Sequence, residues 1–158
     1  MSDKPKGRLY EVVLDAATLP RLATDQDHER AVAIFDLVED NAFAVHGRDD
    51  GPYGLTIAQL EAKLNFLVRT EAGATAAEFS VSMTPFRPLL KDYFLVCETY
   101  YSAIRTASPR EIEAIDRERT ALHNEGADLL ATRLAERVEI DNATARRLFA
   151  LVSALHWK

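Results

Sequence analysis

The sequence predicts an α+β fold: a small antiparallel β-sheet from the N-terminal half, packed against about four α-helices, three of them consecutive in the C-terminal half. Three observations lead there. Within residues 63–69 and again within 77–83, large apolar side chains recur at every second position. From residue 85 onward they recur every third and fourth. Prolines at 85 and 109 mark helix starts, and because proline inside a helix loses a hydrogen bond, they divide the helical half into separate rods.

Residues 1–7, polar with Pro5 and Gly7, are expected to form a flexible N-terminus, and residues 8–158 a single α+β domain. "RLYEVVL" (8–14) alternates in part and is rich in β-branched residues, as a strand is. Pro20 and "ATDQD" make a connection. A helix begins near Thr24, which has the capping-box spacing with Asp27. Its apolar face reads as Ala31, Ile34, Phe35, Val38 and Ala42. "HGRDDGPYG" (46–54) is dense in turn formers and reads as a loop.

The stretch 55–83 also fits a helix through Leu60, Leu64 and Leu67, but alternation favours strands at about 55–59, 63–69 and 77–83 in an antiparallel meander. Leu64, Phe66 and Val68 share one side. Phe79, Val81 and Met83 share another, and Gly73 takes a hairpin-like position between the two runs. Thr84-Pro85 then places a capping residue before a proline at the first helical position. Ser108-Pro109-Arg110-Glu111 is a full capping box with that same proline. Asp141 caps a last helix through "TARRLFALVSALHW", whose Trp157 is expected to dock on the core. Short connections favour antiparallel neighbours.

With 158 residues, 47% hydrophobic and 28% charged, the chain has the composition of a soluble globular protein. A domain of that size buries roughly two-thirds of its unfolded surface, so it needs neither metal nor disulfide to fold. Cys97 is the only cysteine, which excludes an intrachain disulfide and a thiolate cluster. No apolar core of signal-peptide length opens the sequence, and no apolar run approaches the ~18 residues of a membrane span, so the expected place is the cytoplasm and no membrane partner is expected.

The net charge is −6, which argues against nucleic acid, because binding there rests on Lys and Arg neutralising phosphates. The charge is uneven. Residues 31–84 carry 3 basic and 8 acidic groups, and residues 111–141 carry 4 and 9. Residues 85–110 are net +2 and residues 142–158 net +3. The helix at 85 and the C-terminus are the basic parts of an acidic protein.

Taken together, "HERAVAIFDLVEDNAF", "TPFRPLLKDYFLVCETYYSAIR", "AIDRERTALHNEG" and "TARRLFALVSALHW" resemble a proteobacterial family of uncharacterised proteins of about this length. The resemblance covers nearly the whole chain and is loosest over 55–80. It implies a bacterial cytoplasmic protein. That family has no established activity, so the resemblance carries no functional residue across.

In the helix from Pro85, the residues Phe86, Leu90, Tyr93, Cys97, Tyr100 and Ile104 form one apolar face, widened by Leu89, Val96 and Tyr101. Cys97 there behaves as a small hydrophobe rather than a nucleophile. Arg87, Lys91, Glu98, Ser102 and Arg105 form a polar face. Arg87 and Lys91 sit in the first turns, where the helix dipole is positive and an anion is favoured. A negative group is expected to answer them: a ligand, a partner or an acid from elsewhere in the fold. With Arg105, Arg146 and Arg147 they make the candidate anion- or partner-binding set. Glu98, Tyr101, His123 and Glu125 make a candidate polar site. His123 and Glu125 are two apart on a helix and do not face each other. Gly126, interior to the same helix, costs up to ~1 kcal/mol relative to alanine, so another group is expected to approach it closely.

No zinc-ligand spacing and no phosphate-binding glycine loop is present, so no metal site and no cofactor is expected. Two function classes remain. One is a non-catalytic interaction or regulatory protein whose basic helices bind an acidic protein partner, a second copy of the chain or structured RNA. The other is a small enzyme or binding protein for an anionic metabolite, with a phosphate or carboxylate. There Arg87, Lys91 and Arg105 would hold the anion, His123 or Glu98 would act as acid or base, and Tyr101 would donate a hydrogen bond. That second class requires these groups to line one concave pocket.

Overall fold

The computed structural model describes residues 6–19 and 24–156, with the backbone alone for 24 and 25. The expectations for the N-terminal tail at 1–5, the Pro20 connection, the Thr24 capping side chain and the docking of Trp157 lie outside those residues. The fold is α+β. Strands β1 (Leu9–Leu14), β3 (Tyr53–Leu60), β4 (Lys63–Thr70) and β5 (Thr75–Ser82) form a four-stranded sheet in the order β1-β3-β4-β5. Helices α1 (Thr24–Glu39), α2 (Arg87–Thr106), α3 (Pro109–Leu134) and α4 (Asn142–His156) complete the architecture.

β3, β4 and β5 are the antiparallel meander that alternation predicts. Ile57, Phe66 and Phe79 stand in register across the three strands, and the two phenyl rings meet edge-on at 5.5 Å. Leu55, Ile57, Leu64, Phe66 and Val68 are fully buried on the core side, each contributing roughly 1.5–3 kcal/mol of burial free energy. Gly73 has φ +92 at the β4–β5 turn, a conformation that suits glycine. β1 differs from the meander: it pairs with β3 in parallel, so the sheet is mixed. A parallel pair needs a long crossover, and α1 lies in the chain between these two strands. Alternation within a strand says nothing about its direction. A second, two-stranded antiparallel sheet joins β2 (Phe43–Val45) to β6 (Val138–Ile140). With three residues each, these strands are too short to show a period.

Helix ends follow the capping chemistry in two cases of three. The Ser108 side chain accepts from Glu111 N–H, and Asp141 Oδ1 accepts from Thr144 N–H at 2.8 Å. Thr84 does not cap α2. Residues Thr84–Phe86 form a 3-10 turn, α2 starts at Arg87, and its N-cap Phe86 offers no side-chain acceptor.

α4 is the central helix. Leu148, Phe149, Leu151 and Val152 are all fully buried, as expected of a helix enclosed by others. α1 and α3 pack along it, α2 packs on α3, and one cluster of buried side chains runs from the sheet into all four helices. α2 and α3 run antiparallel: Tyr93 meets His123, and Tyr100 meets Arg119. α1 is rotated by about one residue from its expected face. Leu37 and Arg30 point inward, whereas Phe35 is 65% exposed.

Candidate functional site

The helices enclose a half-open cleft of about 380 Å³ between α1, α2 and α4. Its floor is small and apolar, from Ala33, Ala150 and Ala154, with Tyr93, Cys97 and Tyr101 on the α2 wall. Glu29 and Asp36 bring carboxylates to the α1 wall. Small side chains on α1 and α4 leave the space, and the aromatic residues of α2 wall it. Burial pushes the Cys97 thiol up, away from thiolate, and raises Tyr93 as well. Burial first, then Cys97 and Glu29, raise Tyr101. All three therefore stay protonated near neutrality, and at Cys97 burial outweighs the nearby Arg119 charge, so the thiolate a nucleophile needs is disfavoured.

The structure does not gather the expected site residues into this cleft. Of them, Tyr101 lines it, at 55% exposure. Arg87, Lys91, Glu98 and Arg105 are exposed on the polar face of α2. Arg87 and Arg105 are eighteen residues apart on one helix, a span of about 27 Å, too far for one small ligand. Arg146 is exposed on α4. Arg147 is engaged within the chain, donating from Nη1 to the Asp40 carbonyl at 2.8 Å with the Asp40 carboxylate 3.8 Å away. Glu125 lies with Asp92 and Glu118 in a shallow depression between α2 and α3. Among the described residues no group of His, Cys, Asp and Glu is placed to hold a metal ion.

His123 is half-buried, with Tyr93 at 5.6 Å and Phe149 at 5.2 Å between ring centroids. Burial, then the charges of Arg146 and Arg119, holds its imidazole below the ordinary proton affinity. His156 is lowered too, by burial and by Arg30 and Arg87, although its Nδ1 contact with the Val152 carbonyl at 2.8 Å opposes this. Both depressed groups act in one direction. Above the unfolded histidine pKa of about 6.5 the two states bind equal protons there; below it the unfolded chain takes up protons that the folded chain refuses, so stability falls. The expected urea midpoint is flat from about pH 8 to 6.5 and then declines. His123→Leu should make that decline shallower, and a profile identical to the wild type would show that His123 protonates freely.

Sequence reasoning missed Arg30. Only 8% of it is exposed, and its Nε and Nη2 are buried without a hydrogen-bond partner. Burial lowers its pKa, and Asp27 opposes that shift. A lone arginine in an amphipathic helix reads as outward-facing, so nothing in the residue pattern singles it out.

The fold and cleft define a small α+β protein with a helical layer and a modest acid-rimmed cavity. Among the described residues no helix is long and apolar enough to cross a membrane. The model of an uncharacterised protein family, UPF0262, matches residues 6–158, and the chain belongs to that family. It is 51% identical over 160 residues to a UPF0262 protein of Methylobacterium radiotolerans, covering 100% of this chain and 99% of the relative. It is 52% identical to one of Xanthobacter autotrophicus with the same coverage, and 53% identical to one of Rhizobium leguminosarum bv. trifolii over 96% of each chain. No solved structure matches the chain.

Proposed function

We propose that this bacterial protein is a non-catalytic interaction protein of the cytoplasm, which binds an acidic partner through the exposed cations of α2 and α4. One observation carries the reading: the cations stand on outer helix faces, while the concave cleft carries carboxylates. Arg87, Lys91, Arg105 and Arg146 form no salt bridge among the described residues. Exposed, unpaired charges spread over tens of ångströms suit a broad acidic surface better than a single metabolite. The alternative, an enzyme or binding protein for an anionic metabolite, loses its geometric requirement. Its proposed anion holders lie outside the cleft, His123 is wedged between two rings, and Glu98 points to solvent.

The test uses partners captured from a bacterial lysate, identified, purified and measured again. Binding to the true partner should weaken steeply as salt rises from about 0.05 to 0.5 M, because exposed charges are screened. Reversing two charges, Lys91→Glu with Arg146→Glu, should weaken it at least about tenfold, since like-charge juxtaposition costs several kcal/mol. A monodisperse monomer that retains no partner, or a partner indifferent to both charge reversals, would refute the reading.

A further inference from the structure

The strongest unmet demand in the molecule is at Arg30. The two nitrogens without partners, Nε and Nη2, lie along one edge of the guanidinium. Their N–H bonds point the same way, and this is the fork that accepts two oxygens of one carboxylate or phosphate side-on. Arginine cannot shed its proton to relieve burial, and a buried charge left unpaired is strongly destabilising. Among the described residues no acid pairs with that edge. Asp27, three residues earlier on α1, attracts Arg30 but forms no salt bridge with it. The groups that press on the neighbouring His156 are positive: Arg30 itself and Arg87. Arg87 opens α2, a helix with no acid in its first turn and no side-chain cap. Arg30 of α1 and Arg87 of α2 thus both act on the end of α4.

We propose that the Arg30 edge is a binding site for a small oxyanion, a phosphate or carboxylate group held side-on by Nε and Nη2. Arg87, which with Arg30 acts on His156, adds positive charge nearby. The two holding nitrogens belong to a buried side chain and not to the partner surface, which shares only Arg87 with this site. An anion there would answer the buried Arg30 charge and so raise the stability of the helical layer.

Thermal unfolding of the full chain tests this in chloride, in sodium phosphate and in sodium succinate, at one ionic strength. The two oxyanions separate the phosphate and carboxylate sources. For wild type, one of them should raise the midpoint saturably, by about 5–10 °C at a hundredfold excess over its dissociation constant. Arg30→Lys keeps the charge but loses the fork, so its response should nearly vanish, and Arg30→Met should show none. Asp27→Asn should respond at least as strongly as wild type. A midpoint that follows ionic strength alone would overturn the proposal. So would an Arg30→Lys response equal to that of wild type, or loss of the response in Asp27→Asn.

Discussion

Gly126→Ala is expected to destabilise the protein by about 2–3 kcal/mol, the cost of overpacking a filled core. A Cβ at this position would overlap Cζ, Cε1 and Cε2 of the Phe149 ring. Gly126 lies in the middle of α3, and Phe149 is a fully buried residue of α4. The ring has little room to yield, because His123 and Tyr93 flank it at 5.2 and 6.1 Å. Helix propensity works the other way: alanine should stabilise a helix interior by up to ~1 kcal/mol over glycine. A net loss therefore diagnoses packing and not backbone preference. Urea unfolding reads it as a lower midpoint at unchanged slope. Adding Phe149→Leu to Gly126→Ala should recover part of the loss. An alanine variant more stable than wild type would mean that the α3–α4 contact is looser than described.

Asn41→Ala should cost about 2–4 kcal/mol, from unpaired buried backbone groups at about 1–3 kcal/mol each. The Asn41 side chain accepts from Leu9 N–H at 2.7 Å, and its amide donates to the carbonyls of Leu9 and Leu37 at 3.0 and 2.8 Å. It binds the start of β1 to the end of α1. β1 lies at the edge of the sheet, so the groups Asn41 satisfies face away from β3 and have no ladder partner. Alanine removes all three bonds. Asn41→Asp keeps the acceptor for Leu9 N–H but sets a carboxylate against two carbonyls, and should be no better. Hydrogen exchange would locate the effect: the Leu9 amide should lose protection in both variants. An Asn41→Ala protein with wild-type stability and an intact Leu9 amide would contradict this account of the β1 anchor.

Much of the fold was legible because periodicity and capping chemistry are local. The alternation of Leu64, Phe66 and Val68 against Val81 and Met83 placed β4 and β5, and those side chains form the buried face. Ser108 and Asp141 cap as their positions imply, and Gly126 marks the close approach expected of it. What failed depends on contacts distant in sequence. The parallel direction of β1 is set by the α1 crossover. The β2–β6 pair joins segments almost a hundred residues apart, neither long enough to declare itself. The apolar pattern puts Phe35 on the inner face of α1, but the structure exposes Phe35 and buries Leu37 and Arg30, because the packing of α1 on α4 and not its own pattern sets the face.

The candidate site divides in the same way. Arg87 and Lys91 could be read as cations at the wrong end of a helix dipole, and both are exposed near the start of α2. Their separation from the cleft follows from how α1, α2 and α4 cross. Tyr93, Cys97 and Tyr101 wall a cavity rather than fill a closed core. That cavity could not be foreseen from residue types, because it is made by what Ala33, Ala150 and Ala154 leave empty.

The central claim is that recognition belongs to the exposed cations and not to the cleft. Backbone amide shift mapping of the labelled protein during titration with a short poly-glutamate peptide tests it most directly. Saturable shifts are expected at Arg87, Lys91 and Arg146 and their neighbours, weakening as salt is added. Shifts confined to the cleft, at Gln26, Ser153 and Ala154, or no saturable shift at physiological ionic strength, would contradict it.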